Sequence, residues 1–205
     1  MNNALSRRSA RMPTIALLSA VLLAGAARAA FAGGFAVKVE PAAVFPLTQP
    51  QSRRFDTGGG VAAKALLGIC DGVDLTAGLS AFALPASSSS PVQGAGIAWT
   101  YGPGVRLRAG SDPKIFHGAS PWADADALYI RTGSLNRYGF ALGAGLAFPV
   151  GDARKLWAGP FVRYQQVAGT GGSDFDSRDA KVLFAGLSLE FGASRQAAAV
   201  KGNAQ

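Results

Sequence analysis

Residues 137–150, RYGFALGAGLAFPV, set Tyr138, Phe140, Leu142, Ala144, Leu146, Phe148 and Val150 on alternate positions, against Gly139, Ala141, Gly143, Gly145 and Ala147. A repeat of two over this length predicts a β-strand, bulky and apolar on one face and small on the other. The pattern recurs. Over 94–109, Ala95, Ile97, Trp99, Tyr101, Pro103, Val105, Leu107 and Ala109 oppose Gly96, Ala98, Thr100, Gly102, Gly104, Arg106 and Arg108. Over 180–191, Leu183, Ala185, Leu187, Leu189 and Phe191 oppose Val182, Phe184, Gly186, Ser188 and Glu190. Over 73–84, Val73, Leu75, Ala77, Leu79 and Ala81 oppose Asp74, Thr76, Gly78 and Ser80.

Working outward gives eight strands at 35–47, 56–69, 73–84, 94–109, 122–132, 137–150, 156–167 and 180–191. Turn-rich pieces separate them: TQPQSRR, Cys70-Asp71-Gly72, PASSSSPVQ, GSDPKIFHGAS, GSLN, GDARK and AGTGGSDFDSRD. Asp71-Gly72 between alternating runs is a short-hairpin signal. The expected fold class is all-β, an eight-stranded antiparallel up-and-down barrel. Small residues must face the tight interior of such a barrel. Glycines and charges share the small face here, so the bulky face points outward, as in a transmembrane β-barrel. The fifth strand fits less simply, because Asp124 and Asp126 share a face with Trp122, Leu128 and Ile130. Either a bulge or an interior mixing apolar and acidic groups accounts for it.

The inward faces carry Lys38, Glu40, Lys64, Asp74, Arg106, Arg108, Asp124, Asp126, Arg163 and Glu190. Five basic and five acidic groups in a narrow lumen are expected to pair as a structural charge network, since lone charges there are very costly. An ion path is the competing reading, as is an acid–base site at Asp124 and Asp126. Aromatic girdles are expected at the strand ends. Phe35, Trp122, Phe148, Trp157 and Phe191 form one, and Tyr129, Tyr138 and Tyr164 the other.

The N-terminal segment reads differently. Arg7, Arg8 and Arg11 precede the apolar run TIALLSAVLLAGA, and two A-x-A sites follow at Ala27–Ala29 and Ala30–Ala32. The run is shorter than the ~20 residues of a spanning helix, so residues 1–32 are expected to be a cleaved signal peptide. Residues 33–192 form the barrel, and the small, polar residues 193–205 read as a disordered periplasmic tail. The segment 1–32 holds four of the twenty basic residues and none of the twelve acidic ones, leaving a net charge of +4. With no Lys/Arg-rich run, no nucleic-acid partner is expected. Cys70 is the only cysteine, which excludes an intrachain disulfide and cysteine-based metal sites.

Catalytic chemistry finds little to stand on. His117, the only histidine, lies in GSDPKIFHGAS near Ser111, Asp112 and Ser120, without a triad-like placement on strands. Asp174-Phe-Asp176-Ser-Arg-Asp179 lacks the glycine and glutamate of an EF-hand loop. The run Gly58 to Gly60 leads into a strand rather than a phosphate-binding helix. No enzyme activity, no metal and no cofactor is expected.

The pieces VEPAAVFPL, GGGVAAKALLGI, SPWADADALYIRTG, RYGFALGAGLAFPVGD, WAGPFVRYQQ and DAKVLFAGLSLEFG resemble the N-terminal barrels of OmpA-type outer-membrane proteins, across nearly all of residues 34–192. The final strand resembles an outer-membrane assembly signal, with Gly186, Leu189 and terminal Phe191. It departs at Phe184, where a polar residue is usual, and a tail follows Phe191. The resemblance implies a Gram-negative outer-membrane location, contact with outer-membrane lipid and lipopolysaccharide, and insertion by the barrel-assembly machinery. With only a short tail up to Gln205, the peptidoglycan-binding role of the longer family members is not expected here. The expected function is that of a monomeric barrel with a structural or interaction role and a charge-plugged lumen. A small, porin-like or transport-associated barrel and a secreted soluble lipid-binding barrel are the alternatives. Loops 48–55, 85–93, 133–136 and 168–179 are expected to face outside.

Overall fold

Period-two alternation produces eight strands in a computed structural model that describes residues 34–49, 51–88, 95–109, 118–151, 155–168 and 179–192. They are β1 (Phe35–Pro46), β2 (Gly58–Cys70), β3 (Val73–Leu84), β4 (Gly96–Arg108), β5 (Ser120–Thr132), β6 (Leu135–Val150), β7 (Leu156–Val167) and β8 (Ala180–Gly192). Each pairs antiparallel with its sequence neighbours, and β8 pairs back onto β1 from Ala36↔Gly192 to Pro46↔Val182. The result is a closed, all-antiparallel, up-and-down barrel. Closure leaves no edge strand, so the ladder hydrogen bonds are satisfied within the wall.

The strand positions match the sequence reading, with shifts confined to the ends. A single helical turn, α1 (Gln51–Arg54), occupies part of the connection expected to be loop. Four residues are too few to show a periodicity. The hairpin after β5 is tighter than GSLN implied. Thr132 pairs with Leu135, and Gly133 takes a φ of 58° in the two-residue turn. Asp71-Gly72 makes the other two-residue turn, with Gly72 at φ 78° and a register shift between Gly68 and Cys70 just before it. Positive φ at these two sites costs glycine nothing and other residues a strain.

β5 keeps one register against both neighbours along its length, so it has no bulge. Trp122, Asp124, Asp126, Leu128 and Ile130 all point inward, and the interior mixes apolar and acidic groups. Three prolines do break the pairing. The β8–β1 ladder skips Glu40 and Pro41, the β4–β5 ladder skips Gly102 and Pro103, and the β6–β7 ladder skips Gly159 and Pro160. Proline has no N–H to donate, and each skip falls on one side of the proline-bearing strand only.

The two faces separate sharply. Tyr138 is 70% exposed, Leu79 58% and Leu142 52%, while Lys38 and Val44 on the other face are wholly buried. Outside, Tyr129 touches both Tyr101 and Tyr138, with ring centroids 5.0 and 5.5 Å apart, and Phe140 lies beside Tyr164. Inside, Val44, Phe82, Leu84, Ala98, Val182 and Phe184 pack toward the end from which the 47–57, 85–95, 133–134 and 168–179 connections leave. That end is called distal here. The strand termini, the Asp71-Gly72 turn and the 109–119 and 151–155 connections lie at the opposite, terminal end.

The assigned faces make opposite demands of neighbouring β6 residues. Leu142→Arg puts a charge on the apolar outer wall near the middle of β6. It should lower the stability of the barrel refolded into vesicles by about 2–4 kcal/mol, whereas Leu142→Phe should cost little. A Cβ at Gly145 would stand 2.7 Å from both the Pro160 carbonyl oxygen and the Trp122 ring. Gly145→Val should therefore destabilise by overcrowding, by about 1–3 kcal/mol. Denaturant titration of refolded barrel in vesicles measures both. Equal tolerance of Leu142→Arg and Leu142→Phe would reverse the assignment of inside and outside.

Candidate functional site: the charged lumen

Strand parity carries the charged residues inward and the register brings them level. Lys38 lies opposite Glu190 on one side and Lys64 on the other; Arg106 lies between Asp74 and Asp124; Gly143 lies between Asp124 and Arg163. Glycines on adjoining strands leave the seats open. A Cβ at Gly78 would stand 2.9 Å from Lys64 Cγ, and one at Gly104 would meet Asp126 and stand 2.7 Å from Thr76 Oγ1.

The structure places all ten of the inward charges inside the barrel, nine of them buried and the side chain of Arg108 12% exposed. Six form one cluster around Asp124. Its Oδ2 accepts from Lys64 Nζ at 2.8 Å, Arg163 Nη2 at 2.9 Å and Lys38 Nζ at 3.3 Å. Lys64 Nζ also meets Asp126 Oδ2 at 2.5 Å, while Asp126 Oδ1 accepts from Thr76 Oγ1 at 3.2 Å. Glu40 closes the group, with Lys38 Nζ at 2.8 Å and Arg163 Nη1 at 2.5 Å. Three cations and three anions leave no net charge in it. Two further pairs flank the cluster: Arg106 Nη1 to Glu190 Oε2 at 2.5 Å, and Arg108 Nε to Asp74 Oδ2 at 2.9 Å. Withdrawing any one of these ions from water alone costs several kcal/mol, which only such pairing offsets.

Aromatic rings adjoin the ions. Lys38 Nζ sits 3.7 Å from the Trp122 ring centroid, and the Arg106 guanidinium carbon 5.0 Å. Trp122 stacks on Phe161 at 6.5 Å, and the Arg163 guanidinium carbon lies 5.3 Å from the Phe161 ring. These contacts correct the expected girdle: Trp122 and Trp157, each 3% exposed, fill the lumen instead of anchoring the wall. Phe35, Phe148, Phe191 and Tyr138 do face outward and are exposed. The signal that would have placed the two tryptophans is parity. Trp157 and Phe161 stand an even number of residues from Arg163, and Trp122 stands two from Asp124.

Beside the cluster a void of about 30 Å³ is lined by Lys64, Ser80, Thr100, Asp126, Arg163 and Gln165. That is the volume of roughly one water in the liquid, too small to bring a substrate to Asp124 and Asp126. Of the other residues weighed for catalysis, His117, Ser111 and Asp112 lie outside the described residues, and Ser120 donates to the Ala109 carbonyl oxygen at 2.9 Å. Asp174 and Asp176 also lie outside them, while Asp179 accepts from Gln166 Nε2 at 2.6 Å. Among the described residues no group of three or more His, Cys, Asp and Glu side chains converges as a metal site.

No family model matches the sequence, and no curated protein matches it. Solved structures do match the fold. The crystal structure of Neisserial surface protein A superposes with a TM-score of 0.57 at 13% identity, covering 78% of this chain and 98% of that one. The solid-state NMR structure of outer membrane protein AlkL in DMPC lipid bilayers gives a TM-score of 0.50 at 10% identity, covering 95% and 97%. The chain therefore has the eight-stranded barrel fold seen in outer-membrane proteins, which agrees with the OmpA-type resemblance of its sequence at the level of fold.

Asp124 is the test of the cluster. Asp124→Ala leaves an uncompensated buried cation and should destabilise the barrel by about 3–5 kcal/mol. Adding Lys64→Met restores neutrality and should recover about 1–3 kcal/mol of that loss. A double-mutant cycle on denaturant midpoints reads the coupling. Strict additivity of the two substitutions would dissolve the cluster as an energetic unit.

Proposed function

We propose that this chain is an integral outer-membrane barrel with a structural or interaction role, its lumen closed by the paired charges, and that it is not an enzyme. The observation that carries the reading is the inversion of the two faces. Leu79, Leu142, Val162 and Leu187 stand exposed around the wall, while Lys38, Glu40 and Arg106 are buried inside it. A soluble lipid-binding barrel needs the reverse. The strands, 12 to 16 residues long, exceed the 9–11 residues that a tilted transmembrane strand requires.

On this reading residues 1–32 are the export signal, and residues 193–205 form a periplasmic tail beyond β8. Both strand termini then lie on the periplasmic side with the Asp71-Gly72 turn, and the distal connections face outward. Lipopolysaccharide and other outer-membrane lipids contact the wall, the barrel-assembly machinery inserts it, and the barrel works as a monomer. A porin-like path has to pass Asp124, which holds cations from β1, β2 and β7 at once. It also has to pass the stacked Trp122 and Phe161 rings. Silence is expected of such an axis.

Two measurements test location and closure separately. The mature protein should resist carbonate extraction and change gel mobility on boiling; recovery in a soluble fraction with unchanged mobility would remove the membrane reading. Purified barrel in a planar bilayer should show no stable, large-conductance openings, with leak appearing only after charge pairs are broken. Steady wild-type currents that shift when Arg106 and Arg108 are neutralised would establish the porin-like alternative.

A further inference from the structure

The distal mouth of the barrel is not built like the lumen beneath it. It encloses a cavity of about 240 Å³ whose inner wall is apolar: Phe82, Leu84, Ala98, Ile130, Val167 and Val182. Phe82 on its wall packs edge-to-face on Phe184, with centroids 5.3 Å apart, and none of the six clustered charges around Asp124 lines it. One side is a constructed wall. Phe55 follows α1 and bridges to Ala86, Asp56 N donates to the Pro85 carbonyl oxygen, and Ser87 N donates to that of Arg54, all at the rim.

Polar side chains at the cavity are few: Arg54, Arg137, Gln51 and Thr132. Arg54 and Arg137 line it half-buried, and neither makes an ion pair among the described residues. Gln51 lines it too, and its buried Oε1 has no hydrogen-bond partner among the described residues. A buried amide left unpaired is costly, and it can turn either its oxygen or its N–H groups toward a ligand. An apolar chamber open toward water, with two guanidiniums and an unsatisfied amide at its lip, is complementary to one chemical class.

We infer that the distal mouth is a binding site for a single-chain anionic amphiphile, its apolar chain seated against Phe82, Ile130 and Val182 and its acidic head held by Arg54 and Arg137. An apolar cavity of ~150 Å³ accepts benzene. By that measure this one accommodates a chain of roughly ten carbons. Because the cavity is lined by none of the six clustered charges, binding there does not depend on whether the lumen conducts.

The test uses the full mature chain in zwitterionic lipid nanodiscs and radiolabelled decanoate, with empty nanodiscs as background. Decanoate should bind saturably at about one per barrel, and decanol should compete more weakly. Arg54→Gln with Arg137→Gln should weaken decanoate at least tenfold while leaving decanol little changed. Ile130→Trp should abolish binding of both by filling the chamber, and boiling-dependent gel mobility confirms that each variant is folded. Should Ile130→Trp misfold, protection of wild-type Arg54 and Arg137 from phenylglyoxal by decanoate gives the same answer. Binding no greater than to empty nanodiscs, or binding indifferent to both sets of substitutions, overturns the site.

Discussion

Eight antiparallel strands can close only around a space that their own side chains fill, and in this chain much of that filling is charged. Ions inside so narrow a tube have little water to face, so each must meet an opposite charge or cost several kcal/mol. Asp124 meets this constraint most fully. It lies on β5 and gathers Lys38 from β1, Lys64 from β2 and Arg163 from β7, so one carboxylate joins four strands. The register that aligns the ladder hydrogen bonds is also the register that aligns these ions, so wall and interior constrain each other. A one-residue slip of any strand would turn its charges outward and its leucines in.

The glycines belong to the same logic. Inward glycines such as Gly78, Gly104 and Gly143 look from the sequence like weak points in strands, since they contribute no side chain to pack. In the barrel they are the recesses into which Lys64, Asp126 and Arg163 extend. Proline plays a different part. Pro41, Pro103 and Pro160 sit in strands that have no free edge, and each interrupts the pairing on one side while the pairing on the other side continues. A closed ladder with many other rungs tolerates three local gaps that a two-stranded ribbon would not.

This explains what was legible beforehand. Period two, repeated eight times, is a local property, so the strands and their faces could be read residue by residue, and with them the ten inward charges. Partnership is not local. Nothing in the spacing of Lys64 says that it joins Asp124 to Asp126, because that depends on where β2 and β5 stand around the ring. The tryptophans were missed for another reason. Trp122 and Trp157 lie at strand ends, where both a membrane girdle and a lumen seat were open to them, and their parity with Asp124 and Arg163 outweighs the preference of tryptophan for an interface. Helix α1 left no periodic trace because it is a single turn, closed by Phe55 N donating to the Gln51 carbonyl oxygen and tied to a distant segment only by Ser87 N donating to that of Arg54.

Along its axis the barrel is layered, and the layers are not interchangeable. Rings of Trp122 and Phe161 stand beside the ions toward the terminal end, the ionic cluster occupies the waist, and aliphatic and phenyl groups occupy the distal mouth. If packing density alone governed the interior, the apolar layer would be most stable at the waist, far from water, and the charges nearest the mouths. The observed order is the reverse at the distal end: the paired charges lie below, while Leu84 and Val182 stand nearer the rim that Arg54 and Arg137 line. The cost of burying ions at the waist is offset by their own pairing and needs no ligand. An apolar rim gains nothing from being open to water, and it is there that the cavity lined by Phe82, Ile130 and Val182 lies.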